Sequence, residues 1–316
     1  MTAPPDLKVN IGTLELRNPV LAASGTFGYG SEYGRFVDLS DFGGIVTKTL
    51  TPEPWPGNPP PRAAETAAGM LNSIGLQNVG VEAFIRDKMP YLRKVDTALI
   101  VNVGGGPVEE FVYVTERLSD CVGIDALEIN MSCPNVSGGM DFSTDPRRAA
   151  ELVSTLRGLT ELPLIAKLTP NVTDIGEIAR SVEEAGADAI SAINTLRGMA
   201  VDILTRRPML GAVTGGLSGP AIKPVAIAAV YRIASQVAVP VIGIGGIMSG
   251  EDAVEFLVAG ATAVQVGTAT FVEPRAGPSV ARTLAEWCAA SEVHSVRSLI
   301  GSLQIPSQED APCHRS

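Results

Sequence analysis

The 316-residue chain carries a formal charge of −10, which excludes a surface of clustered Lys and Arg built to neutralise nucleic-acid phosphates. Its 45% hydrophobic content, 18% charged content and 33 glycines exclude a disordered or fibrous chain and allow one large core with many tight turns. The opening stretch MTAPPDLKVNIG has neither a basic region followed by an apolar run nor a bilayer-length segment, so no export, no membrane contact and a cytoplasmic location are expected.

In chain order, Leu7–Leu16 alternates about Gly12 and predicts a β-hairpin. Short apolar runs follow, separated by helical stretches. They predict strands over Val20–Ser24, Gly44–Lys48, Leu99–Val103, Ala126–Asn130, Leu164–Leu168, Ala189–Ile193, Val241–Gly245 and Ala263–Gly267. Helices are predicted over Val81–Lys94, Glu109–Asp120, Arg147–Leu156, Asp174–Ala185, Ala221–Gln236, Asp252–Ala259 and Val280–Ala290, with amino-terminal signals at Thr173-Asp174 and Ser249-Gly250-Glu251. Eight alternating units predict an α/β fold, a (β/α)8 TIM barrel forming one domain over residues 1–316, with the N-terminal hairpin closing the barrel bottom. Two connections are too long for simple turns, Thr49–Asn78 and Met131–Asp145; both leave carboxyl ends of strands, where barrel enzymes place their chemistry. Residues 304–316 are polar and predict a flexible tail.

Polar residues close successive strands and would converge on one mouth: Ser24, Lys48, Asn102, Asn130, Lys167 and Asn194. A lysine buried at a strand end is costly unless it faces an anion, so Lys48 and Lys167 suit a ring that becomes electron-rich. Amides carry both a donor and an acceptor, so Asn72, Asn130, Asn135 and Asn194 suit the alternating edge of a pyrimidine-like substrate. Gly243-Ile-Gly245-Gly246 and Gly267-Thr268 follow strands seven and eight, where barrels hold phosphate; a phosphorylated cofactor and a phosphorylated substrate both fit, and tight turns alone could account for Gly243. Gly104-Gly105-Gly106 lacks dinucleotide spacing and carries no NAD site.

The four cysteines form neither a CxxC pair nor a disulfide framework, and the two histidines, His294 and His314, leave little material for a metal site; none is expected. Cys133 stands among polar, turn-forming residues and is the reactive candidate, because a thiol of ordinary pKa about 8.5 can act as a base where its thiolate is favoured. Cys121 and Cys288 fall in helical patterns as packing residues, and Cys313 lies in the tail.

Ordered motifs through almost the whole chain carry a resemblance: Asn18–Gly28, Gly57–Arg62, Gly69–Asn78, Glu128-Ile-Asn-Met-Ser-Cys-Pro-Asn-Val136, Lys167–Thr173, Ile193-Asn-Thr195 and Ser218–Pro224. The sequence resembles the soluble dihydroorotate dehydrogenases, and Gly138-Gly139 with Gly57–Arg62 resembles their NAD-linked class. The resemblance implies FMN across the mouth, with its phosphate on Gly245, Gly246, Gly267 and Thr268 and its ring near Ser24, Lys48, Thr49, Asn102, Asn130, Lys167, Ile193 and Gly219. It implies dihydroorotate held by Lys48, Asn72, Ser73, Ile74, Gly75, Leu76, Asn130, Asn135, Asn194 and Thr195. Cys133 would take the C5 proton while a hydride leaves C6 for flavin N5, with Lys48 and Lys167 as the other catalytic residues, giving orotate for pyrimidine synthesis.

Electrons would pass to NAD through a partner subunit carrying FAD and an iron-sulfur cluster, in a heterotetramer around a homodimer of this chain. The membrane-bound class of the family uses a serine base and an amino-terminal membrane segment, and this sequence shows neither. Met131, Ser137 and Trp55-Pro56 depart from the usual pattern in regions implied to form lid and partner contacts. The alternatives are a fumarate-linked member, a reductase of a related pyrimidine, and a non-redox barrel lyase or isomerase.

Overall fold

A computed structural model describes residues 4–132 and 142–305. Eight parallel strands close into a barrel in strict chain order: Val20–Ala22, Gly44–Val46, Ala98–Val103, Ala126–Asn130, Leu164–Leu168, Ala189–Ala192, Val241–Ile244 and Ala263–Val266. These are barrel strands one to eight, and each overlaps a predicted run. Helices cover the outside and side chains fill the inside, so both faces of every strand are buried and the sequences are nearly continuous apolar runs. Five strands each interrupt that run with a buried polar residue, namely Asn102, Glu128, Lys167, Ser191 and Gln265.

The outer helices form where an apolar stripe of period 3.6 meets a cap. In Pro146–Arg157 the buried residues are Ala149, Leu152, Val153 and Leu156, an i, i+3, i+4, i+7 stripe, and the Asp145 side chain accepts from the amides of Arg147 and Arg148. Asp174 caps Ile175–Glu184, and Ser249 and Asp252 form a reciprocal capping box on Gly250–Val258, as the two sequence signals predict. In that last helix the Phe256 ring fills the space over Gly243, where any Cβ would collide with it. Gly243 is therefore a packing glycine.

The hairpin pairs Val9–Ile11 with Leu14–Leu16. Its turn residue Gly12 lies against Asp188, which immediately precedes strand six, so the hairpin does plug the amino-terminal end of the barrel.

Three features differ from the sequence reading. The predicted helix Val81–Lys94 is three short pieces with a π-helical turn at Phe84–Lys88, because Pro90 has no amide hydrogen to return to the carbonyl four residues earlier. The connection Thr49–Asn78 contains two strands, Ala63–Thr66 and Gly69–Asn72. A third long connection, between strand six and the helix Lys223–Ala234, contains Leu196–Gly198, Val201–Asp202, Arg207–Pro208 and Gly215–Ser218. Four of these strands pair across the two connections into an antiparallel sheet over the mouth, in the order Leu196–Gly198, Gly215–Ser218, Gly69–Asn72, Ala63–Thr66. Strands of two to four residues, rich in glycine, carry no alternation to read. Among the described residues no helix is long and apolar enough to cross a membrane.

Tyr29 illustrates the density of the packing beside strand two. It is buried against Phe84, accepts the Val79 amide, and its phenol is pushed up to about 12 by burial. The native state therefore favours the neutral phenol. Its contribution to stability is complete below the ordinary value of 10.0 and is lost as pH rises from there through about 12. Burial also raises the Tyr33 phenol, so an alkaline spectrophotometric titration should show Tyr29 as the latest-ionising phenol, and Tyr29→Phe should remove that last step; a titration with every tyrosine ionising near its ordinary value would refute this assignment.

Candidate active site

A cavity of about 970 Å³ opens at the carboxyl ends of the strands, beneath the antiparallel mouth sheet. All six predicted strand-end residues line it: Ser24, Lys48, Asn102, Asn130, Lys167 and Asn194. So do Thr49, Ile193, Thr195, Gly219, Gly245, Gly246, Gly267 and Thr268, and the loop Asn72, Ser73, Ile74, Gly75 and Leu76. Cys133 and Asn135 lie outside the described residues, although Ser132, just before them, is on the cavity wall.

The floor is built from the barrel interior. Glu128 is fully buried, and both of its carboxylate oxygens are saturated. Oε1 accepts from Asn102 Nδ2 at 2.6 Å and Lys167 Nζ at 3.1 Å; Oε2 accepts from Ser191 Oγ at 2.9 Å and Gln265 Nε2 at 2.6 Å. A buried lysine needs an anion, as the sequence argument holds, but the anion within reach of Lys167 belongs to the protein. Sequence reasoning passed over Glu128, Ser191 and Gln265. The available signal was a single charged residue inside the apolar strand Ala126–Asn130.

One wall is a clamped loop. Asn58 holds it from one side: its side-chain amide nitrogen donates to Ser73 O at 2.9 Å and its backbone N–H to Ile74 O at 3.0 Å, while Asn78 Nδ2 donates to Leu76 O at 2.8 Å. Leu76 is held at φ +57°, an unusual conformation for a leucine that these bonds enforce. On the opposite side, Asn194 Nδ2 donates to Asn130 Oδ1 at 3.4 Å and Asn171, which the sequence reading also missed, donates to Thr195 O at 3.0 Å.

The rim is set by glycines. Gly219, Gly245 and Gly246 have φ of +93°, +133° and +74°, and at Gly246 a Cβ would meet Gly219 O at 2.9 Å and Lys223 Cβ at 2.8 Å. The two turns can approach only without side chains. Thr268 Oγ1 donates to Ser218 Oγ at 2.8 Å, tying the strand-eight loop to the mouth sheet.

The donor set suits a polar, anionic group with a flat heteroaromatic part. Two lysines line the cavity, and Asn102 Oδ1, Ser73 Oγ and Ser132 Oγ are buried there with no hydrogen-bond partner among the described residues. Buried acceptors of this kind are costly unless a ligand meets them. The remaining described cysteines lie elsewhere: Cys288 is buried in a helix, where burial pushes its thiol up, and Cys121 packs at the edge of the core.

A closed parallel barrel with such a cavity at the carboxyl ends of its strands defines a β/α-barrel enzyme. More narrowly, a family model described as dihydroorotate dehydrogenase matches residues 6–287, and the chain belongs to that family of oxidoreductases. A protein of Geotalea daltonii described as the catalytic subunit of dihydroorotate dehydrogenase B (NAD(+)) is 54% identical over 304 residues, covering 96% of this chain and 100% of that one. A protein of Trichlorobacter lovleyi with the same description is 56% identical over 301 residues, covering 95% of this chain and 99% of that one. A solved structure of DHODH from Eimeria tenella, in complex with ferulenol, shares the fold with a TM-score of 0.77 at 24% identity, covering 94% of this chain and 88% of that one.

Removing one member of a buried ion pair strands the other. Glu128→Ala should cost about 3–5 kcal/mol in urea unfolding, the usual scale for an uncompensated buried charge. An unfolding midpoint matching that of the parent would show that Lys167 does not depend on this partner.

Proposed function

We propose that this chain oxidises (S)-dihydroorotate to orotate in pyrimidine synthesis, as the catalytic subunit of an NAD-linked enzyme and a single FMN-binding barrel domain. The observation that carries the reading is the cavity that gathers Lys48, Lys167 and the amides of Asn72, Asn130 and Asn194 under one sheet. FMN, when bound, would supply a two-electron acceptor, N5, for the hydride that leaves C6 of the substrate. The turns at Gly245-Gly246 and Gly267-Thr268 would hold its phosphate, and Ser24, Thr49, Asn102, Ile193 and Gly219 would border its ring.

The rest of the work falls to side chains of the chain. Asn72, Asn130, Asn194 and Thr195 offer paired donors and acceptors to the amide edges of a pyrimidine ring without adding charge. The clamped loop Ser73–Leu76 walls the substrate from water, and Lys48 offers a cation to its carboxylate. Lys167 faces the part of the site where negative charge develops. Cys133, with Asn135 beside the substrate, takes the C5 proton, so that one proton goes to the thiolate as one hydride leaves C6. The carboxyl-end position of Ser132 on the cavity wall supports placing that base nearby.

We further infer that the two electrons leave through an electron-transfer subunit carrying FAD and an iron-sulfur cluster, in a cytoplasmic heterotetramer around a homodimer of this chain. Two relatives are themselves described as catalytic subunits of an NAD(+) enzyme, and the spacing of the four cysteines in this sequence offers no cluster motif.

Cys133→Ala should slow anaerobic flavin reduction by dihydroorotate by about a hundredfold or more, the scale of a lost acid or base group, with FMN content unchanged. An undiminished rate of flavin bleaching in stopped flow would assign the proton to another residue. With dihydroorotate as donor, the purified chain should reduce NAD only once the partner subunit is added; sustained turnover with fumarate alone would place it in the fumarate-linked class instead.

A further inference from the structure

Glu128 does not line the cavity, yet it holds two residues that do. It lies behind Lys167 and Asn102, in contact with both through the same oxygen, Oε1. Its burial is complete, while the Lys167 side chain keeps 8% exposure toward the mouth. At this distance in a poorly solvated interior the two charges screen each other strongly, so the field that leaves the pair toward the cavity is much weaker than that of a lone ammonium. Ser191 and Gln265 hold the second oxygen from strands six and eight, which prevents the carboxylate from swinging away.

The pairing also sets the orientation of Asn102. A carboxylate only accepts hydrogen bonds, so the NH₂ end of the amide must face Glu128, and Oδ1 is left as the free acceptor with no partner among the described residues.

We propose that Glu128 is a positioning residue for the flavin site: a buried counterion that acts through Lys167 and Asn102, limiting the positive field offered to the ring and turning the Asn102 acceptor outward from the pair. The inference rests on the reading that Lys167 borders a bound FMN ring. A hydride delivered to a neutral ring leaves one negative charge there, so the field from the pair enters the oxidised–reduced equilibrium directly. Removing the Glu128 charge strengthens the positive field and favours the reduced form. Removing the Lys167 charge does the reverse.

The test is the midpoint potential of FMN bound to the purified chain, read by equilibration against a dye of known potential in the parent, Glu128→Gln, Lys167→Met and the double variant. Glu128→Gln should shift the equilibrium toward reduced flavin by about tenfold or more, a rise of roughly 30 mV for a two-electron couple. Lys167→Met should lower the potential, and the double variant, neutral like the parent pair, should fall between the singles. A merely structural role for Glu128 would reduce thermal stability or flavin content and leave the potential where it was.

If Lys167→Met lowers the potential while Glu128→Gln leaves it unmoved, the role of Glu128 is overturned and that of Lys167 stands. If Lys167→Met leaves it unmoved, the placement of Lys167 at the ring fails, and this inference fails with it. Should Glu128→Gln not fold, the double variant is compared with Lys167→Met, and equal potentials overturn the proposal.

Discussion

Taking a carboxylate out of water into a barrel interior costs several kcal/mol unless its lone pairs are met, and Glu128 meets that cost with four donors from four other strands. Strands three, five, six and eight are thereby joined to strand four by one side chain. The backbone ladder sets which residues are neighbours: Asn102 is in register with Glu128, and Lys167 with Ser191. The carboxylate then adds direction to register. It holds an ammonium and an amide at the level where the barrel opens, and the site above is built on those two groups.

The mouth is organised by a different constraint, the close approach of backbone. Two long connections, separated by more than a hundred residues of chain, contribute to one antiparallel sheet, and their contact depends on positions that tolerate no side chain. At Gly69 a Cβ would collide with the carbonyl of Ser218, and at Gly219 it would meet Gly69 Cα at 2.7 Å. The roof of the cavity is thus tied to its rim, so the loop at Asn72–Leu76 and the turns at Gly219, Gly245 and Gly246 form one connected wall. Surface ion pairs such as Lys8–Glu15 and Arg282–Glu286, each more than half exposed, add little beside these contacts. By contrast Lys223, half-buried beside Gly246, bonds both Asp252 and Glu255; burial works against its charge, but the two carboxylates outweigh it and hold the ammonium above its ordinary value.

Chemistry sits at the mouth because a parallel barrel places the carboxyl ends of all its strands on one side. Residues such as Ser24 and Asn194, far apart in the chain, are neighbours there as a result of topology. Their amides and hydroxyls line the cavity together with Lys48 and Lys167, and these are the groups proposed for recognition and charge; the thiol proposed as base comes from the connection after strand four.

The amino-acid sequence by itself determined the eight strands, their polar ends and the capped helices around them, because burial on both faces demands continuous apolar runs and a helix leaves a stripe and a cap that can be read locally. It also determined the cavity residues that end strands, such as Lys48 and Asn130, since strand order alone brings them to one end. Only the tertiary structure decided the rest. The mouth sheet joins Gly69–Asn72 to Gly215–Ser218 across distant connections, and its short glycine-rich strands have no period to betray them. The π-helical turn before Pro90 and the packing role of Gly243 depend on what lies opposite each residue. Glu128 reads in sequence as one charge in an apolar strand; that it is the partner of Lys167 is decided by which side chains the closed barrel turns inward at the same height.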